Sequence, residues 1–539
     1  MKHLIKIVSV LLLVFAGFAC TDLDENLRSD FTESFDPSNP GFGASENVNR
    51  PVPNDGLNAA FSTLLPGTAN HSTYFTVTEV STDEAVITQK GGDWFDGGIW
   101  LNMHRHDFRP TNPGLDASWG GNYGGVTQTN ELLANATLDA NQTAQLRVLR
   151  AYYYWRLMDM FGRIKIITEP GVDSEQVDRP EVYDFVVNEI LDALPDLNET
   201  AGYARISSGA AYALLARLYL NADVYNRPYP YVPGTGTHAP GSLNYDLAMQ
   251  NAIDAADEVI DSGIYDLGPQ GDFDSVFGPA NVGSIEHIFV VPYDEATGTG
   301  MNFGQMTFHY PSQLTYDFQQ QPWNGYSTLE AFYDAYDDND GRKDAFFVAG
   351  PQFDLNGNPI LDVAFNPDNE AATGDTESGA AINYTPEINE LAPNGARQAG
   401  ARLGKFSHKI GQLPDMDNDF PLLRYGEVLL NKAEAIARLN NNWNDTETIA
   451  LVNQIRQRAG ATPYNSGDLS AEEFLAERGR EFFQESLRRT DLIRFDAWGD
   501  AWWEKSAHGL AYKNIMPIPQ PQIDASGTAT FPLTQHPDY

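Results

Sequence analysis

Apolar side chains recur at helical spacing in several blocks of the chain. Leu146, Leu149, Tyr153, Leu157 and Met160 stand at offsets 0, 3, 7, 11 and 14, which puts them on one stripe of an α-helix. Leu422, Tyr425, Leu429, Ala433 and Ile436 repeat those offsets. The pattern predicts further helices over 210–220, 245–262, 446–459 and 471–485. Several form pairs across short turns containing Gly or Asn, the unit of tetratricopeptide-like stacks, although no consensus of about 34 residues recurs. Between these blocks, 64–130 and 265–420 are rich in Gly, Asn, Asp, Pro and aromatics without a sustained period, and 354–394 is almost featureless. Irregular stretches of that length in a compact domain usually carry function or are disordered. The expectation is a helical scaffold bearing a large, loop-rich half.

The N-terminus breaks the pattern. Lys2 and Lys6 precede an almost wholly apolar run over 4–18, which ends at Ala19-Cys20. The run is short for a spanning helix and reads as a signal peptide over 1–19. Cys20 is the single cysteine of the chain, so it has no internal partner for a disulfide. Its position fits the lipid-modified first residue of a mature lipoprotein, although Gly17 stands where an aliphatic residue is usual. Residues 20–50 open on an acidic stretch and continue polar, with Pro, Gly, Ser and Asn throughout, which predicts a tether. Residues 51–539 then form one domain.

Charge narrows the partners. Seventy-four acids against 34 bases give a formal charge of −40, which leaves no basic footprint for nucleic acid and disfavours sulfated or uronic polymers. Aromatic residues make up 12% of the chain, a generous share that matters once their placement is considered.

Six stretches, in order along the chain, resemble motifs of the SusD/RagB family. They are LRVLRAYYYW (146–155) with Met160-Phe161-Gly162, AAYALLARLYL (210–220), PLLRYGEVLLNKAEA (421–435), VNQIRQRAG (452–460), EFFQESLRRTDLIRF (481–495) and IMPIPQ (515–520). Departures lie at Ile164-Lys165-Ile166, where a proline is common, at Glu485–Arg488, where Ser486 replaces glycine, and at the ending His536-Pro537-Asp538-Tyr539. The resemblance implies a mostly α, SusD-like fold, with four tetratricopeptide-like helix pairs supporting a ligand face built from loops. It also implies a lipid-anchored protein on the outer face of the outer membrane. Such a protein delivers oligosaccharide to a SusC-like TonB-dependent barrel and is not an enzyme. Arg147, Arg150, Arg424, Arg488 and Arg494 share helical stretches with Glu427, Glu434, Glu485 and Asp491, and interhelical Arg–carboxylate pairs are their expected use.

Neutral sugars present apolar C–H faces and rings of hydroxyls, which proteins meet with flat aromatics and with amide or carboxylate side chains. The densest such setting is GGDWFDGGIWLN (91–102), where Trp94 lies among aspartates and glycine pairs, and Trp100 and Asn102 would share one face of an extended segment. A second is QPWNGY (321–326), with Trp323 and Asn324 at a turn. In SusD-like proteins, glycan-contacting aromatics come from two loop regions matching these positions. Trp94, Trp100 and Trp323 are therefore the candidate platforms, Asp93, Asn102 and Asn324 the hydroxyl partners, and Tyr293 and Tyr310 further candidates. Trp119, Trp155, Trp498 and Trp502 read as core. A neutral polymer is expected, first a β-glucan such as laminarin.

Competing chemistries have thin support. A glycoside hydrolase needs a carboxylate pair across the scissile bond, for which Asp83-Glu84 or Asp93 and Asp96 could be nominated, but no hydrolase motif accompanies them. In His104-Arg105-His106-Asp107 the two histidines would share one face of an extended strand, a spacing that can chelate, but no third ligand is evident. Asp415–Asp419 and Asp337–Gly341 begin like calcium loops yet lack the glycine at position six and the acid at position twelve. No cofactor is expected, with only a structural calcium left open. A tetratricopeptide-like adaptor that binds only protein would differ from a glycan receptor in burying the loop tryptophans.

Overall fold

The computed structural model describes residues 52–298, 300–364 and 377–539. Cys20, the leader and the tether lie outside the described residues. The fold is mostly α, with a few two-stranded antiparallel ribbons. Its long helices are α1 (Pro113–Asn135), α2 (Ala140–Phe161), α3 (Arg179–Ala193), α4 (Ser208–Leu220), α5 (Leu243–Asp261), α6 (Tyr425–Leu439), α7 (Thr446–Ala459) and α8 (Ala471–Phe482). All of them except α6 begin on a capping side chain. Asp139 opens α2 in a reciprocal capping box with Gln142, and Ser207, Ser242, Asp445 and Ser470 accept from the first-turn amides of α4, α5, α7 and α8. Each such cap stabilises its helix by about 1 kcal/mol. Gly460 closes α7 in the left-handed region, which a residue with a Cβ would enter only under strain.

The helices pack mainly on their chain neighbours: α1 on α2, α2 on α3, α4 on α5, α5 on α6, and α6 on α7. Helix α1 falls inside the stretch that the hydrophobic pattern left irregular. Its packing face is partly bare backbone: a Cβ at Gly125 would fall inside the Tyr153 ring of α2. Burial of that tyrosine therefore needs no apolar side chain from α1, and the helix carries no readable stripe.

Two further expectations are corrected. Leu422 is not helical; it lies on a wholly buried strand, Phe420–Arg424, paired antiparallel with His287–Val291, and α6 starts only at Tyr425. Helix α8 ends at Phe482 and not at 485, because Phe483 turns to an extended conformation and Gln484 and Ser486 take positive φ. That turn delivers the Ser486 amide to Glu79 at 2.6 Å and so ties the C-terminal region to the N-terminal one.

Ion pairs between elements hold the helical half, as the arginine-bearing motifs predict. Arg424 reaches Glu286 at 2.5 Å, Glu481 at 2.8 Å and Glu485 at 2.6 Å, all buried. Arg494 joins Glu434 and Asp491, both at 2.7 Å, and Arg488 joins Asp83 at 2.6 Å. Arg147 and Arg150 of α2 converge on Glu189 of α3. Removing one partner from such a buried pair costs about 3–5 kcal/mol, because the other charge is stranded.

The stretch expected to be featureless is partly ordered into an arm. Gly350–Pro351 pairs with Asn383–Tyr384, and buried Asp362 binds Arg397 at 2.6 Å and His309 at 2.8 Å. Residues 365–376 lie outside the described residues.

Candidate functional site

An antiparallel ribbon, Ala85–Ile87 with Tyr326–Thr328, brings the two tryptophan loops together. The loop before the short helix Tyr74–Glu79 places His71 between them. Its imidazole lies 5.4 Å from the ring of Trp94, 5.3 Å from Trp100, 5.7 Å from Trp323 and 5.8 Å from Tyr326. His71 Nδ1 is 2.8 Å from the Tyr326 hydroxyl, which in turn lies 2.7 Å from Thr76 Oγ1. Burial lowers the imidazole pKa to about 4 against the opposing pull of Asp96, so the ring is neutral at physiological pH. Among the described residues its Nε2 has no hydrogen-bond partner, and the side chain is partly open to solvent.

The loop at 93–98 is held by the indoles themselves. Trp94 Nε1 donates to the carbonyl oxygen of Trp323 at 2.6 Å, and Trp100 Nε1 donates to Asp96 Oδ2 at 2.7 Å. Trp94 and Asp96 both have positive φ, at 59° and 44°. Left-handed non-glycine residues cost on the order of 1 kcal/mol or more each and persist only where surrounding contacts over-determine them. The two indole hydrogen bonds supply that determination.

This geometry revises the expected roles. Trp94 and Trp100 are only 9% and 2% exposed, so they are anchors of the loop and not open platforms. Trp100 and Asn102 sit on a short helix, Ile99–His104, and not on a strand; Asn102 keeps partial exposure. Asp93 accepts from the Tyr310 hydroxyl, and its acid is raised by burial. Asn324 is fully buried with φ 58°; its backbone N–H donates to Phe308 O at 2.8 Å, and its side-chain amide has no hydrogen-bond partner among the described residues. Tyr293 is buried too, donating to Leu65 O at 2.7 Å and accepting from Ala69 N at 2.9 Å. Trp323 remains half-buried at the edge of the cluster, beside His71.

Two residues escaped the sequence reading. Phe95 is 49% exposed at the tip of the anchored loop, presented outward by the turn that buries Trp94. The same criterion that selected Trp94, a flat ring among Asp and Gly, applied equally to Phe95. His71 carried no local signal, since its role depends on three segments far apart in sequence. Of the tryptophans expected in the core, Trp119, Trp155 and Trp498 are buried, whereas Trp502 is half-buried under the Lys505 ammonium at 3.8 Å.

The nominated metal and acid sites are otherwise engaged. His104 ends a helix and bonds Trp503 O at 2.7 Å; His106 stacks on Trp498 and bonds Ser81 O at 2.8 Å and His508 at 2.9 Å. Asp417 is paired with Lys409, and Asp340 with Arg342 at 2.7 Å. Among the described residues no group of three or more His, Cys, Asp or Glu is placed to hold a metal ion. Asp83 is bound to Arg488, and Glu84 is fully buried.

The molecule is thus a helical scaffold presenting a loop-built aromatic cluster with one open edge. The family model described as the SusD family matches residues 285–530, and a SusD-like model described as "Starch-binding associating with outer membrane" matches residues 68–220. The chain belongs to the SusD/RagB family. It is 24% identical over 433 residues to the starch-binding protein SusD of Bacteroides thetaiotaomicron, covering 74% of this chain and 73% of that protein. It is 23% identical over 467 residues to SusD-like protein P2 of Formosa agariphila, covering 82% of each. Two solved structures share the fold at 21% identity. Surface glycan-binding protein A from Bacteroides thetaiotaomicron, in complex with laminarihexaose, has a TM-score of 0.63 and covers 89% of this chain and 97% of that one. A laminarin binding SusD-like protein has a TM-score of 0.66 and covers 90% and 98%. The family is one of binding proteins, and this chain is not an enzyme.

Proposed function

We propose that the protein captures a neutral glycan at the edge formed by Trp323, Phe95 and His71. One observation carries this: Trp323 keeps an open face at the rim of a rigid five-ring cluster, beside an imidazole nitrogen free to bond a hydroxyl. Stacking of a sugar's C–H face on the indole and hydrogen bonding to His71 Nε2 and Asn102 would fix the ligand. Lys90, which donates to the Gly325 carbonyl, is buried. Asp96 is exposed there and would repel an anionic polymer.

Relatives named for binding starch and laminarin, and one named in complex with laminarihexaose, support a glucan, with a β-glucan as the first candidate. In this reading Cys20 carries the lipid that holds the protein on the exterior of the outer membrane, and a SusC-like TonB-dependent barrel receives the glycan. Calorimetric titration with laminarihexaose and with a malto-oligosaccharide of equal length tests the glycan class. Binding of the first in preference to the second, lost in Trp323→Ala, is expected. Binding of neither, with uptake of a uronic oligosaccharide instead, would reject the reading.

A further inference from the structure

Away from the tryptophan loops, a cleft of about 240 Å³ opens between helices α3, α4 and α5. Tyr183, Asp184 and Asn188 line it from α3, Tyr219 from α4, and Asn244 and Asn251 from α5. Among the described residues none of these six side chains has a hydrogen-bond partner. Five are at least partly exposed. Tyr183 is different: it is 4% exposed, with its ring packed beside Tyr225 and His238, yet its hydroxyl finds nothing in the protein. The hydroxyl is the solvent-reachable tip of an otherwise buried side chain, so it stands in the cleft wall as a donor and acceptor held in place by the packed ring.

The lining has a definite chemistry. It combines two tyrosine rings and the His238 imidazole with three primary amides and one carboxylate, and it contains no lysine or arginine. Amides both donate and accept, which suits vicinal hydroxyls, and the single carboxylate disfavours anions. The volume lies below the range of about 300–1,000 Å³ usual for drug-sized ligands, so it takes one or two sugar rings and not a length of polymer. No residue of the cleft belongs to the segments that build the His71 cluster.

We infer that the α3–α5 cleft is a second, independent saccharide site that takes the end of a neutral glycan, with the Tyr183 hydroxyl and the amides of Asn188, Asn244 and Asn251 as its hydrogen-bonding groups.

Saturation-transfer NMR with laminaribiose and maltose at millimolar concentration tests this in Trp323→Ala, where the first site is disabled. One of the two disaccharides is expected to give signals there. Adding Asn251→Phe, an exposed helix position whose new ring fills the cleft, should remove them without changing the melting temperature. Tyr183→Phe keeps the packing ring and loses only the hydroxyl; about a fivefold weaker affinity is expected, the worth of one hydrogen bond of about 1 kcal/mol. The inference is overturned if Trp323→Ala gives no signal with either disaccharide, or if Asn251→Phe leaves the signal unchanged. Polymer binding by the wild-type protein, measured separately, reports on the first site and is unaffected by either result.

Discussion

Trp94 donates its indole hydrogen to the carbonyl oxygen of Trp323 at 2.6 Å, which locks together two loops separated by more than two hundred residues of chain. The bond explains why one tryptophan is buried and the other is not. The Trp94 ring packs against Gly325, where a Cβ would collide with it, and so holds the turn that carries Trp323. Trp94→Phe keeps most of the ring but strands the Trp323 carbonyl. A stability loss of about 1–3 kcal/mol is expected in chemical denaturation, together with weaker glycan binding.

Anchor and platform should separate in mutagenesis. Trp100→Ala empties a buried site and should cost about 3–5 kcal/mol of stability. Trp323→Ala removes a half-exposed ring and should leave the melting temperature nearly unchanged while lowering glycan affinity by about 30-fold or more, the equivalent of an interface hot spot of about 2 kcal/mol. Equal stability losses in the two variants would contradict the assignment.

The Glu79–Glu84 pair predicts an alkaline weakness. Both side chains are fully buried, and neither carboxylate oxygen of Glu84 has a hydrogen-bond partner among the described residues. Burial pushes Glu79 up to about 7 and holds Glu84 well above the usual carboxylate range, with the neighbouring carboxylate adding to the rise in Glu84. Because these folded values exceed the unfolded one near 4.5, the contribution to stability is fully present below that pH and is lost as pH rises through 7. Glu84→Gln, neutral at every pH, should melt higher than wild type at pH 8.5, with the difference shrinking toward pH 5. A constant difference across that range would count against titration of this buried pair.

Gly125→Ala tests why α1 was invisible to the hydrophobic pattern. A methyl at this position enters the space of the Tyr153 ring, and overpacking of about 1–3 kcal/mol or more is expected. Gly124→Ala, one residue away with open space around it, should be neutral or slightly stabilising.

Periodicity found the helices whose faces are made of side chains. Thr446–Ala459 was legible to the residue, and α4 and α5 to within two residues at each end. It failed where burial is carried by something else: by backbone in α1, and by a strand, Phe420–Arg424, whose buried leucine also fits a helical offset. The ordered motifs made the family legible from end to end. The site was legible by region only. Loop composition located 91–102 and 321–326, but exposure is a tertiary property. Trp94 and Trp100 have polar, glycine-rich neighbours and are buried all the same, because each indole nitrogen finds an acceptor inside the cluster. Phe95, lacking such a donor, is the ring left outside.

The most direct measurement is affinity electrophoresis through gels containing laminarin, starch, xylan, mannan or a uronic polymer, with Trp323→Ala and Phe95→Ala alongside the wild-type protein. Retardation by a neutral glycan, reduced in Phe95→Ala and lost in Trp323→Ala while both variants melt as wild type does, is the predicted result. Retardation by the uronic polymer alone, or by a neutral glycan without sensitivity to either substitution, would contradict a neutral-glycan site at this edge.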